Sequence, residues 1–274
     1  GKWRGTGKTI PVDTLGDEET WREALADLRV ARDIVLEHPW HVAVVREVRD
    51  DSLLLGIEDV ALDDPRGMTV PRSDTDWFKG SLQDNFERGD VIHVRQMTQD
   101  SDGAFIRWSL RQVPEVQGGF MAMDAHTGRV IAMQGGFSYQ NSVFNRATQA
   151  MRQPGSSFKP FVYASALDSG YSPATIVVDA PIEVDTGAGI WRPQNASHQY
   201  YGPTPLRTGI ERSRNLMTIR LAQEVGMDIV ASYAEKFGVY DRMSPVLANA
   251  LGSQETTIFQ MVAAYAMFAN GGER

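Results

Sequence analysis

Arg152-Gln153-Pro154-Gly155-Ser156-Ser157-Phe158-Lys159-Pro160 sets a hydroxyl three residues before an amine at what reads as the opening of a helix. Pro154 and Gly155 suit a tight entry turn, and Pro160 falls in the first helical turn, where a missing N–H costs little. Phe161, Val162, Ala164, Ala166 and Leu167 recur at helical spacing, which predicts a helix to about Ser169, with Gly170 as the left-handed residue that ends it. On that helix Ser156 and Lys159 stand at i and i+3 and share a face. A serine hydroxyl is a poor nucleophile at neutral pH unless a base takes its proton. A lysine serves as that base only when burial disfavours its charged form, so Lys159 is expected to be largely neutral at rest. Backbone N–H groups at the same helix end would stabilise a developing oxyanion. Serine and lysine are common, and a chain of this length holds roughly one S-x-x-K by chance. The four-residue pattern therefore leaves a functional and an accidental reading open.

The surrounding residues narrow that choice. Asn145-Arg146-Ala147-Thr148-Gln149 leading into Arg152 through Pro160 resembles the active-site segment of class A penicillin-binding proteins, the bifunctional enzymes that build and cross-link bacterial peptidoglycan. The superfamily signature joins S-x-x-K to a Ser-x-Asn type motif and a K-T-G strand. The second motif is then Ser213-Arg214-Asn215, heading a helix that carries Leu216, Met217, Leu221 and Val225. An isolated S-x-N is often no more than a helix cap. Here it follows Trp191-Arg192-Pro193-Gln194-Asn195, Tyr200-Tyr201-Gly202-Pro203 and Leu206-Arg207, which resemble the family's approach to that motif.

The resemblance implies an α+β fold: a penicillin-binding/serine β-lactamase-like transpeptidase domain, incomplete at its C-terminus and preceded by a small OB-like β-barrel. It also implies roles. Ser156 would attack the penultimate D-alanine carbonyl of a D-Ala-D-Ala stem peptide, or a β-lactam ring, forming an acyl-enzyme with Lys159 as base. Ser213 would relay a proton between Lys159 and the leaving amine, and the Asn215 amide would hydrogen-bond the substrate backbone. Such acyl transfer needs no metal and no cofactor. The implied partners are peptidoglycan stem peptides and β-lactam antibiotics, on the periplasmic side of the bacterial inner membrane. The same fold also serves D,D-carboxypeptidases, serine β-lactamases and β-lactam sensor modules. Pro-Gly before Ser156 and a β module ahead of it favour the transpeptidase, and no base for the fast deacylation of a β-lactamase is evident. Ala250 through Thr257 and Ala263 through Gly272 also resemble the family and read as helix packing.

Upstream, Val113 through Gly119 is a plausible domain boundary. Phe120–Met123 and Arg129–Met133 then flank Asp124-Ala125-His126-Thr127-Gly128, a hairpin in which Gly128 supplies the positive φ of the turn. His126 in that turn reads as a solvated histidine, and no Ser-His-Asp arrangement is apparent. Residues 41 to 112 hold strand-like runs at His41–Val48, Ser52–Ile57, Val91–Met97 and Phe105–Gln112 with Gly, Pro and Asp between them. They resemble the OB-like barrel of some class A enzymes. Such barrels can bind nucleic acid, but Asp100-Ser101-Asp102 speaks against phosphate contact and a spacer or partner-docking role fits better. Asp17 to Glu37 reads as an amphipathic helix with Trp21, Leu25, Leu28, Ile34 and Val35 near one face and acids in its first turn. Residues 1 to 16 read as an extended linker. Gly5-Thr6-Gly7-Lys8-Thr9 fails as a phosphate loop, since Lys2 stands where the pattern needs glycine and no strand precedes it. The expected organisation is linker and helix over 1–40, OB-like barrel over 41–116 and transpeptidase domain over 117–274.

The 274 residues are 42% hydrophobic and 23% charged, as in ordinary globular domains. A formal net charge of -8 argues against nucleic acid, which calls for a basic face. The absence of cysteine excludes disulfides and thiolate metal sites and is compatible with the periplasm. No run of 18 or more apolar residues occurs, so membrane attachment is expected only through an anchor upstream of Gly1, together with the family's glycosyltransferase domain. The third motif is absent, Lys8-Thr9 being followed by Ile10. The expectation is that the strand carrying it lies beyond Arg274, in a larger polypeptide.

Overall fold

The uninterrupted apolar run Val42-Ala43-Val44-Val45 calls for a strand covered on both faces. The structure, a computed structural model, describes residues 2–36, 38–187 and 189–273 and shows how that strand is covered. It divides into two units, residues 1–118 with 136–144, and residues 119–135 with 145–274.

In the first unit β1 (Lys8–Thr9), α1 (Glu18–Ala26), β2 (Val35–Leu36), β3 (His38–Val48), β4 (Ser52–Ile57), β5 (Thr69–Pro71), α2 (Leu82–Asn85), β6 (Asp90–Thr98) and β7 (Phe105–Arg111) follow in order. The antiparallel sheet runs β1-β6-β3-β4-β5, with β7 also on β6 and β2 on β3. Ala43, Val45, Leu53, Leu55, Ile57, Ile92, Val94 and Trp108 fill its inside. The opposite side chains Val42, Val44 and Val91 pack against Trp21 and Leu25 of α1 and against Ile10 and Leu15. Asp74, in the turn after β5, accepts from Ser109 Oγ at 2.9 Å and the Leu110 N–H at 2.7 Å, tying that end of the sheet to β7 without a ladder.

Three expectations are corrected here. Residues 8–16 are not a linker: β1 pairs with β6, and Ile10 and Leu15 are buried. The amphipathic helix keeps its expected start, with Asp17 capping the Thr20 N–H at 2.9 Å, but it stops at Ala26. Arg32 closes it by donating to Leu25 O at 2.7 Å and Leu28 O at 3.0 Å, and β-branched Val30, Ile34 and Val35 favour extended chain beyond. The helix end expected at Glu37 lies outside the described residues. Residues 136–144, expected within the second domain, fold with the first unit: Asp33 accepts from Ser138 Oγ at 2.6 Å, and Phe137 lies 5.3 Å from Trp40.

The second unit opens on the hairpin β8 (Phe120–Met123) and β9 (Val130–Gln134), with Gly128 at φ 69 as its turn chemistry requires. There follow α3 (Lys159–Asp168), β10 (Ile176–Asp179), β11 (Val184–Asp185), β12 (Ile190–Trp191), β13 (Gly202–Pro205), α4 (Leu206–Glu211), α5 (Asn215–Val225), α6 (Met227–Lys236) and α7 (Ile258–Asn270). Phe158, Phe161, Val162, Leu221, Val230, Val239 and Tyr240 form its core. Among the described residues no helix is long and apolar enough to cross a membrane.

Candidate active site

A 3-10 turn over Gly155–Phe158 precedes α3, so Ser156 lies in the turn and Lys159 is the first residue of the α-helix. Gly155 sits at φ 56 and Gly252 at φ 75. The Gly155 N–H donates to Gly252 O at 3.0 Å, and a Cβ on Gly252 would stand 2.2 Å from Gly155 O. Backbone contact this close admits only glycine, and it fixes the turn. The helix ends as its sequence implies, at Asp168 with Gly170 at φ 94.

Phe158 and Phe161, both fully buried, draw Lys159 inward until it is 2% exposed. Its Nζ donates to Ser213 O at 2.6 Å, Ser213 Oγ at 3.0 Å and Asn215 Oδ1 at 2.6 Å. Burial lowers its pKa to about 8. Its place at a helix N-terminus, where positive charge is disfavoured, acts in the same direction. The three acceptors match the three donors of an ammonium. Burial thus moves Lys159 towards the free amine that a base requires, while its three acceptors favour the ammonium.

Ser213 meets the lysine through its backbone. The Arg214 N–H returns to Gly209 O at 2.8 Å and the Ser213 N–H to Ile210 O at 3.1 Å, which is a Schellman closure of α4 with Ser213 at its left-handed position. Glycine is usual there, yet Ser213 adopts φ 52, and this turns its carbonyl and hydroxyl to the same amine.

Both ends of the Asn215 amide are engaged. Oδ1 accepts from Lys159, and Nδ2 donates to Gln194 O at 2.8 Å, leaving one Nδ2 proton for the substrate contact expected of it. Behind it, buried Asn195 accepts the Asn215 and Leu216 N–H groups at 2.9 and 3.3 Å and donates to Asp179 Oδ1 at 2.7 Å.

Lys159, Ser213 and Asn215 thus converge as expected. Ser156 is exposed, one turn away, and its Oγ makes no hydrogen bond to Lys159 or to any other described residue. Its neighbour differs: Ser157 Oγ donates to Pro154 O at 2.6 Å. The free hydroxyl of the pair is Ser156. Asp179 ends an Ile-Val-Val-Asp run as any strand-terminal aspartate does, and Asn195 lies in a loop, so neither carries a signal in the sequence.

Residues 118–274 match the penicillin binding protein transpeptidase domain, and residues 3–116 match the penicillin-binding protein OB-like domain. The chain belongs to the penicillin-binding proteins. Penicillin-binding protein 1A of Rickettsia bellii is 37% identical over 99% of this chain and 33% of its own length. That of Vibrio cholerae is 40% identical over 74% of this chain and 26% of its own length. The chain spans about a third of the length of the curated relatives it matches. Among solved structures, penicillin-binding protein 1A from Haemophilus influenzae superposes with a TM-score of 0.79 at 28% identity, covering 98% of this chain and 38% of that one. PonA1 of Mycobacterium tuberculosis, solved in complex with penicillin V, has a TM-score of 0.50 at 28% identity over 56% of this chain and 43% of its own. The penicillin-binding fold thus accounts for both units.

Proposed function

We propose that this chain carries the acyl-transfer site of a peptidoglycan D,D-transpeptidase, working in the cell envelope on the periplasmic side of the inner membrane. The observation that carries the reading is the buried Lys159, held by Ser213 and Asn215, one helical turn from the unbonded hydroxyl of Ser156.

The neutral fraction of Lys159 takes the Ser156 proton as Oγ attacks the penultimate D-alanine carbonyl. The Gly155 N–H is taken by Gly252 O and the Ser157 N–H by Pro154 O, so the Ser156 N–H is the leading donor left for the negative charge that grows on the carbonyl oxygen. Ser213, hydrogen-bonded to Nζ, passes a proton to the leaving D-alanine amine as the C–N bond breaks and the acyl-enzyme forms. The amine of a second stem peptide then attacks the ester, loses a proton to the lysine and releases Ser156. A β-lactam enters by the same first step, its ring amide standing for the D-Ala-D-Ala bond.

The test supplies the full-length polypeptide with a D-Ala-D-Ala pentapeptide donor and an amine acceptor. Cross-linked product that penicillin suppresses supports the proposal. Release of D-alanine with tetrapeptide as the only other product would show a carboxypeptidase instead.

A further inference from the structure

We infer that Asp179 is a positioning residue for this site: through Asn195 it fixes the segment that presents Asn215 to Lys159. The inference rests on the transpeptidase reading above. Asp179, at the end of β10, is 0% exposed. Its Oδ1 accepts from Asn195, but its Oδ2 has no hydrogen-bond partner, and the Arg214 Nε stands 3.9 Å away while the guanidinium lies 3.5 Å over the Tyr201 ring. A buried, half-compensated carboxylate is poor material for stability alone.

What it supplies is an acceptor that cannot donate. The two Nδ2 protons of Asn195 go to Asp179 Oδ1 at 2.7 Å and Gln199 O at 2.9 Å. Its Oδ1 must then face the Asn215 and Leu216 N–H groups, and all four hydrogen-bonding positions of the amide are filled. A flipped amide would set N–H against N–H at α5 and oxygen against oxygen at Asp179. The adjacent Gln194 carbonyl takes Asn215 Nδ2, which turns Asn215 Oδ1 onto Lys159. One peptide therefore holds Asn215 by main chain and side chain together. The charged and titratable groups around this chain of contacts are Lys159 and Tyr163 on α3, Arg214 before α5, Arg220 on α5, His198 and Tyr201 in the loop, and Asp179 itself. His198 Nδ1 is bonded to Gln194 Oε1 at 2.7 Å.

The test follows acylation of the full-length polypeptide by a fluorescent penicillin across pH, beside thermal unfolding. Asn195→Asp places two carboxylates face to face and is expected to slow acylation by about 10²-fold, the scale of a small misplacement of a reacting group. Adding Asp179→Asn re-forms the pair with its polarity exchanged and restores most of the rate. In the single variant the pH of half-maximal rate departs from the parental value, because Lys159 loses the Asn215 acceptor and gains a second nearby anion; in the double, which carries the parental charge, it returns towards that value. Wild-type rate and pH midpoint in Asn195→Asp, or a folded double variant no faster than the single, overturns the inference. Should Asn195→Asp not fold, Asp179→Leu, which removes the acceptor, decides: a slower rate with a lowered midpoint supports the role, and parental values refute it. Labelling of the parent that survives Ser156→Ala would instead defeat the transpeptidase reading.

Discussion

At the scale of single residues, the account turns on a lysine that burial brings to a pKa of about 8. The free amine is the base, and its fraction grows as pH rises through that value. Acylation by penicillin should therefore climb about tenfold per pH unit below the midpoint and level off above it. A flat rate between neutral pH and the plateau would place the titrating base elsewhere. Lys159→Arg keeps a cation that does not deprotonate, and acylation should fall by about 10²- to 10⁴-fold, the range general-base catalysis spans. Stopped-flow acylation rates for the two proteins check this. Ser156, Lys159, Ser213 and Asn215 were legible because each sits in a short motif with fixed spacing. Asp179 and Asn195 were not, since their effect depends on a loop that returns to α5, and no period in the sequence records that return.

Among elements, the junction of α4 and α5 shows backbone strain serving position. Ser213 occupies the left-handed position that closes a helix, where an L side chain costs about 1 kcal/mol or more. Ser213→Gly should relieve this and leave folding stability equal or higher by about 1 kcal/mol, while removing the hydroxyl that Lys159 donates to and slowing acylation. Denaturant unfolding read together with labelling separates the two effects. A variant less stable than the parent would show that the hydroxyl contributes more to the fold than the strain removes. Some helix and strand boundaries were readable in both units: Ser52–Ile57 is β4, and Gly170 ends α3. The long helix over 17–37 was misjudged because Ile34 is buried through a loop, not a helix, so its hydrophobicity mimicked a continuing face.

For the molecule as a whole, the first unit is assembled from more of the chain than its strand pattern suggests. Ala43 and Val45 face the inside of the sheet while Val42 and Val44 face the other way, and α1 with residues 8–16 covers that second face. Trp21, fully buried and packed on Gly56, is the centre of that cover. Trp21→Ala should destabilise this unit by about 3–5 kcal/mol, measured by chemical denaturation; a loss within experimental error would show that α1 contributes little to covering the sheet. The claim on which the second unit's function rests is that the free hydroxyl of Ser156 is the acylated group. Incubating the full-length polypeptide with a penicillin, digesting it and mapping the adduct by mass spectrometry tests this directly. The account predicts one adduct, on Ser156, that disappears in Ser156→Ala with Ser157 intact. An adduct on Ser157, or one that persists in Ser156→Ala, would contradict it.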